Sequence, residues 1–528
     1  MSFPVALCAV LAAGFLALGQ EIVWFRVLSF VTGGSAGSFG VLLAAYLAGI
    51  ALGSAWARSL CRDGVAGPTV ADGDGATADL AESPPGARRR LQLPAVLTAL
   101  AAFGGFLLVP AIGFGVTKVP WQWTLPGIAV VAAIGGAVLP LVAHLGIVPD
   151  RRAGERLSLL YLANIVGCTA GSLATGFVLL DRLTLRQTSV VLTLVGLALA
   201  ALLFVAAGLP RRALLLRALA LVTLAAVTVS ASHRLYARIW PQLQRKLEYD
   251  GGELFARVIE NRAGVITVDR ERHVFGGGVY DGILSVTLLP DRNLLYRAYA
   301  LPAVHPAPRR VLMVGLASGS WAQVIASAPG VERLEVVEIN PGYLELIAGE
   351  KEVSPLLSDP KVVVHIDDGR RWLAAHPTSH FDVIVQNTTW HWRGHITNLL
   401  SEEYFALVRE RLARGGVFFF NTTHAPAAMV TACRSFRSGF RFSNFMYVSD
   451  AEHLDLDLGR WREALRTWQL QGKPVLDLAT AEGLAALQDL LSRRANPAYF
   501  QTCAEVLAQH ANEPTITDDN MRTEFLPR

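Results

Sequence analysis

The chain changes character near residue 232. Before that point, long apolar runs follow one another. Beyond it, the runs shrink to strand length and charge rises. A helix needs roughly 20 consecutive apolar residues to cross a bilayer core, because every backbone polar group must be satisfied within the segment. Seven stretches reach that length, at about 4–29, 38–58, 93–116, 125–147, 157–180, 187–208 and 213–232. The first is too long for a cleaved leader, lacks a basic start, and carries Glu21 and Arg26 instead of a cleavage site. Arg217 lies inside the last and makes it the weakest, so six or seven spans are expected. Gly49, Gly53, Gly167 and Gly171 recur at four-residue spacing, which suits close helix packing. Glu21 and Arg26 either pair within the bundle, line a substrate path, or sit at the interface anchored by Trp24, and the interfacial reading is favoured. Between the second and third spans, Gly, Ala, Asp and Pro dominate, which predicts a disordered loop over 61–92.

Past residue 250 the pattern becomes that of a folded soluble half. Residues 254–289 carry short β-branched runs separated by turns, which predicts a small antiparallel unit. From about residue 310, strands alternate with helices, the signature of a doubly wound parallel sheet. The strand RRVLMVG (309–315) enters a turn holding Gly315, Ser318 and Gly319. LEVVEI ends at Glu338 and Ile339, VVVHIDDG brings Asp367 and Asp368 to a strand end, and FDVIVQN ends at Asn387. GGVFFFN (415–421) follows. Such sheets bind ligands at the carboxyl ends of their strands, and an acid about 20 residues past the glycine turn accepts hydrogen bonds from a ribose. Glu338 has that spacing. No Lys-Ser/Thr follows the glycines, which excludes a triphosphate loop, and the turn lacks a full GxGxxG. A single nucleoside, such as an S-adenosyl compound, fits better than a dinucleotide.

Composition refines this picture only modestly. Hydrophobic residues make up 52% and charged residues 17%, and the formal net charge is +4. The arginines are scattered, so nucleic acid is not an expected partner. Arginine does favour particular loops: Arg58, Arg62, Arg88, Arg89, Arg90, Arg151, Arg152, Arg156, Arg211 and Arg212 all follow even-numbered spans. The odd-numbered loops hold little beyond Lys118, Arg182 and Arg186, which places the N-terminus in the cytosol. Seven spans then put the soluble half outside the cytosol, whereas six put it inside. A nucleoside ligand is a cytosolic metabolite, and this favours the cytosolic side. The five cysteines show no CxxC spacing. Cys433 and Cys503 are expected to be free thiols, with pairing the alternative in an oxidising compartment.

The order of motifs over about 250–425 resembles the spermidine synthases, or polyamine aminopropyltransferases. EIVWFRVLSFVTGG, VLLAAYLAGIALGS, YLANIVGCTAGSLATGF and the tail TDDNMRTEF (517–525) resemble the variety fused to a major-facilitator-like membrane region. The resemblance implies a small β domain ahead of the nucleoside domain, with Asp281 and Gly282 on its Asp-Gly strand. It implies that Tyr296 lines the aminopropyl and amine pocket, although the Gln and Glu that usually follow are here Arg297 and Ala298. It further implies that Glu338 binds the ribose, that Asp368 reads the adenine amine, and that Ser318 replaces an Asp holding the aminopropyl end. The co-substrate implied is decarboxylated S-adenosylmethionine or S-adenosylmethionine.

The departure lies at the chemistry. The family strand usually ends in Asp-Ser-Ser-Asp or Asp-Ser-Thr-Asp, and here it reads Asn387-Thr388-Thr389-Trp390. An amine is mostly protonated near neutrality, so a carboxylate helps to bind it and remove its proton. Asn387 can orient a nucleophile but cannot take that proton. His391 and His395 are candidate replacement bases, and Arg393 suits an anionic or zwitterionic acceptor. The competing reading makes this stretch a loop against the membrane half. Asp518 and Asp519 either lend acidity to the pocket or cap a turn, and the cap is favoured.

The expected architecture is an α-helical membrane bundle of six or seven spans at 1–235, a small antiparallel β unit at 236–308, and an α/β Rossmann-like domain of the S-adenosylmethionine-dependent methyltransferase type at 309–528, with a helical C-terminal extension. The expected location is a bacterial inner membrane. The expected activity is transfer of an aminopropyl or related group to a small-molecule or lipid-linked acceptor. Asn387, His391, His395 and Tyr296 are the catalytic candidates, and Gly315, Ser318, Gly319, Glu338, Asp367 and Asp368 hold the nucleoside. No metal is expected. Family resemblance implies a homodimer through the small β domain. The alternatives are an inactive nucleoside-binding sensor or structural cap, and a methyltransferase.

Overall fold

The computed structural model describes residues 1–62, 92–252, 254–387 and 390–525. Most of the predicted 61–92 loop, together with Thr388 and Thr389, lies outside the described residues. The chain forms two compact units. One comprises Met1–Thr32, Ser38–Phe255 and Glu260–Gly264; the other comprises Gly33–Gly37, Ala256–Ile259 and Val265–Arg528.

In the first unit, seven helices are long and apolar enough to cross a membrane by length and composition. Each overlaps one of the predicted stretches, and the seventh, Arg211–Tyr236, runs unbroken past Arg217. Small residues let the helices approach closely. A Cβ on Gly167 would come within 2.0 Å of the Leu11 carbonyl oxygen, and one on Gly171 within 2.1 Å of that of Phe15. Gly53 meets the Ala133 carbonyl in the same way, at 1.9 Å. Trp24 is not an interfacial anchor. It is buried among helices, with its indole N–H directed at the Gly105 carbonyl. Arg26 donates to the carbonyls of Asn261, Arg262 and Gly264, at 2.6, 3.1 and 3.2 Å. Those acceptors satisfy the guanidinium without Glu21.

Past residue 256 the chain forms two sheets of consequence. The first has the order β1 (Arg257–Asn261), β2 (Gly264–Val268), β3 (His273–Gly276) and β4 (Val279–Ile283). The second is built from β5 (Arg310–Val314), β6 (Arg333–Glu338), β7 (Val362–Ile366), β8 (Phe381–Gln386), β9 (Leu412–Asn421), β10 (Ser438–Phe442) and β11 (Phe445–Ser449), with a small ribbon of β12 (Gln469–Leu470) and β13 (Lys473–Pro474) standing apart and β14 (Phe500–Thr502) closing one edge. Its order is β14-β10-β11-β9-β8-β5-β6-β7. Strands β5 to β9 run parallel, and β11 is antiparallel to β9.

These strands read as continuous apolar runs because both faces are covered. Met313, Val336, Val385 and Phe419 enter one core, while Leu312, Val337, Ile384 and Phe418 enter the other. The chain passes from β5 to β6 on one side and returns with β8 on the other. The switch point therefore lies between β5 and β8, and crevices at the carboxyl ends there are where such sheets bind ligands. The expectation of free thiols does not hold for Cys433 and Cys503. They form a disulfide joining the helices Pro426–Ser435 and Cys503–Gln509, with Cα atoms 5.4 Å apart.

Candidate functional site

Two half-sites stand at the carboxyl ends of the central strands. The first is built by β5, β6 and β7. After β5 the backbone turns through Gly315 (φ +88°) and Gly319 (φ +77°), conformations that a side chain strains, before the helix Ser320–Ala326 begins. Glu338 closes β6 and is buried. One of its oxygens accepts the Leu316 N–H at 2.7 Å, and the other accepts the Asn340 N–H at 2.8 Å. A carboxylate has about four lone-pair sites, so each oxygen keeps one for a ligand hydroxyl. Burial, partly offset by these two N–H bonds and reinforced by nearby Asp281, pushes the carboxyl up to about 7. Asp281 on β4 is itself raised to about 6 by burial, although the Tyr343 hydroxyl and Arg393 favour its ionised form.

The second half-site is a cavity of about 270 Å³ at the ends of β8 and β9. Asn387 and Asn421 supply its floor, Tyr280, Asp281 and Gly282 one wall, and Arg297, Trp321, Asn444 and His424 contribute from loops and a helix. Asp281 is the single carboxylate among the described lining residues. Thr423 (φ +47°) and His424 (φ +66°) both hold left-handed backbone. For a β-branched threonine that is strained, and such strain clusters at ligand sites.

A spermine/spermidine synthase family model matches residues 301–448. The polyamine aminopropyltransferase of Mycobacterium tuberculosis is 26% identical over 307 residues, covering 55% of this chain and 57% of that protein. That of Desulforudis audaxviator is 31% identical over 149 residues, or 27% of this chain and 52% of the relative. The chain thus spans little more than half the length of these relatives. The spermidine synthase structure from Thermotoga maritima superposes with a TM-score of 0.31 at 17% identity, covering 46% of this chain and 87% of that one.

Within the matched residues, the predicted nucleoside residues fall together at one end of the sheet. Ser318 is buried, its hydroxyl 3.0 Å from that of Ser320. Asp367 pairs with Arg371. Asp368 caps the helix Gly369–Ala375 by accepting the Arg371 N–H at 2.8 Å. None of the six predicted nucleoside residues lines the 270 Å³ cavity.

The four catalytic candidates are more scattered. Asn387 lines the cavity. Tyr296 is buried against Phe442 and outside the lining. His391 turns its Nδ1 to the Thr423 hydroxyl at 2.8 Å, and burial holds its pKa below the ordinary value. His395 is exposed, with φ +68°. Arg393 donates to the Gly276 carbonyl at 3.2 Å. Asp518 is not a simple cap. It binds Arg370 through both oxygens, at 2.7 and 2.6 Å, and accepts the Ser401 hydroxyl. Glu524 accepts the Thr397 N–H at 2.9 Å, so the tail motif ties down the segment that follows the cavity loop.

Sequence reasoning missed Arg292, Asn293, Trp321, Asn421, His424 and Asn444. One signal was present: Asn421-Thr422-Thr423-His424 after β9 repeats the form of Asn387-Thr388-Thr389-Trp390 after β8.

Proposed function

We propose that the second unit binds an S-adenosyl-derived nucleoside at the ends of β5, β6 and β7 and transfers its aminopropyl, or a related, group to an acceptor held in the adjoining cavity. The observation that carries this reading is Glu338, buried at the end of β6 beside the glycine turn with lone pairs to spare for ribose hydroxyls. The synthase domain supports decarboxylated S-adenosylmethionine as donor, with S-adenosylmethionine the alternative. In the transfer, the acceptor's lone pair attacks the carbon beside the sulfonium. The carbon–sulfur bond breaks, the electron pair stays on sulfur, and methylthioadenosine leaves. The acceptor's proton must go to a base, and Asp281 is the carboxylate nearest to hand, with a pKa of about 6 that suits a base near neutrality.

Asn387 and Trp390 stand where the family has its two catalytic carboxylates, and this favours a second reading in which the domain binds the nucleoside without turnover. Full-length protein incubated with each donor separates the cases. Methylthioadenosine supports the transferase, S-adenosylhomocysteine would mark a methyltransferase, and nucleoside binding with neither product across many acceptors leaves the sensor or structural reading. The proposed acceptor is a small or lipid-linked molecule, and a dimer through the small β sheet is part of the proposal.

The apolar helices make an integral membrane protein the proposed location. The donor argues for a cytosolic soluble unit. Seven spans, arginine-rich even loops and the Cys433–Cys503 bond argue for the opposite face, since disulfides persist in oxidising compartments. A reporter fused after Arg528 decides. A cytosolic signal keeps the transferase reading, and an extracytosolic signal removes its donor.

A further inference from the structure

The cavity at the ends of β8 and β9 has the wrong polarity for a diamine. Arg297 lines it and is buried, 6% exposed. Its guanidinium lies beside the stacked rings of Trp321 and Phe445, 5.2 and 4.7 Å from their centroids. It donates to the carbonyls of Leu294 and Asn293 and to Asn444 Oδ1. Three of five guanidinium N–H bonds are thereby used, and among the described residues Arg297 forms no ion pair. Asp291 is the acid closest in influence, and its oxygens already accept the N–H groups of Asn293, Leu295 and Tyr296. Buried charges are ordinarily paired.

A chain of amides carries this polarity across the cavity. An arginine can only donate, so Asn444 must present its oxygen to Arg297 and its NH2 elsewhere. That NH2 donates to Asn421 Oδ1 at 2.8 Å. The Thr423 backbone N–H donates to the same oxygen at 2.9 Å, which independently fixes the orientation of Asn421. Asn421 must then donate its own NH2, and it reaches Asn387 Oδ1 at 3.4 Å. Asn387 thus turns its oxygen towards that amide and keeps one further lone pair there. Its NH2 has no partner among the described residues and stands at the cavity floor. In the related synthases this position is a carboxylate that accepts a proton from an amine. Here it is a donor, and Arg292 adds a second positive charge to the lining.

We infer that this cavity receives a carboxylate, held between Arg297 and the Asn387 amide, in place of an alkylammonium. The inference rests on the proposed reading for which substrate brings that carboxylate: an acceptor, or the donor itself if intact S-adenosylmethionine is used. Asp281 remains to receive a proton from the acceptor's nucleophile.

The test is binding to full-length protein in detergent, read by calorimetry with succinate, putrescine, S-adenosylmethionine, its decarboxylated form and methylthioadenosine. Succinate should bind at least tenfold more tightly than putrescine, which matches it in length. Arg297→Gln, which installs the family's residue, should weaken succinate at least tenfold and leave methylthioadenosine within twofold. Asn387→Asp should invert the succinate–putrescine preference and needs no loss of the buried arginine. If Arg297→Gln weakens S-adenosylmethionine but not its decarboxylated form, the carboxylate belongs to the donor; an effect on succinate alone assigns it to the acceptor. Putrescine binding as tightly as succinate, no binding of any carboxylate probe at millimolar concentration, or unchanged carboxylate affinity in Arg297→Gln overturns the inference. Failure of methylthioadenosine to bind, with the succinate preference intact, sinks the transferase reading and leaves this one standing.

Discussion

The two halves of the candidate site depart to different degrees from the resemblance to spermidine synthases. At the ends of β6 and β7, Glu338 and Asp368 match the family's residues and stand beside a backbone turn bent through Gly315 and Gly319. At the ends of β8 and β9, Asn387 and Trp390 stand where the resemblance expects carboxylates, and a buried arginine is wired to Asn387 through Asn444 and Asn421. On the proposed reading, a fold keeps its nucleoside grip while rewriting what it accepts, because the two tasks are carried by different strand ends. The sheet order places those ends side by side without making them share residues.

The sharpest way to break this comparison is at Glu338. Glu338→Ala removes two charge-assisted hydrogen bonds to a ribose, each worth roughly 1.5–3 kcal/mol. Methylthioadenosine affinity should fall by about 100-fold or more, with succinate binding unchanged. A loss confined to a few-fold would show that the ribose lies elsewhere.

Next in size is the pH dependence. Glu338 is raised to about 7 from the ordinary 4.5, and Asp281 to about 6 from 3.8. In both, the folded protein holds a proton to higher pH than the unfolded chain does. Their stabilising contribution is complete below the unfolded values and is lost as pH rises through about 6 and then about 7. A ribose bound by the ionised Glu338 follows the opposite course. Its affinity should rise about tenfold per unit below pH 7 and level off above it. Calorimetry at pH 5.5, 6.5 and 8 reads this directly, and a flat profile would detach the nucleoside from Glu338.

A smaller effect is expected at Asp368. Its side chain caps the helix Gly369–Ala375, and loss of a cap costs about 1 kcal/mol. Asp368→Ala should lower the melting temperature by a few degrees and weaken methylthioadenosine only several-fold. In the first unit, Gly167→Ala forces a methyl group against the Leu11 carbonyl and should destabilise the bundle by roughly 1–3 kcal/mol. Nucleoside affinity, measured below the new transition, should stay the same.

Much of this architecture was legible in the chain. The five parallel strands announced themselves as apolar runs because each is covered on both faces. The long apolar helices were legible because each fills one of the apolar runs that bilayer thickness would require. The cavity was not. Asn421 and Asn444 meet only through the β9-β11-β10 order, and Asn293 joins them from a loop outside that sheet, which no periodicity encodes. His391 and His395 looked like bases from composition, yet one faces Thr423 and the other lies exposed. Trp24 looked interfacial because of its amphipathic ring, but its indole found a carbonyl inside the bundle. The disulfide was obscured because two cysteines 70 residues apart carry no local signal of pairing.

The most direct test of the account is an experimental structure of the full chain with methylthioadenosine. The account predicts its ribose hydroxyls within about 2.8 Å of the Glu338 oxygens and its sulfur facing the Asn387 cavity. Density for the nucleoside away from Glu338, or a crevice filled by the protein's own side chains, would contradict it.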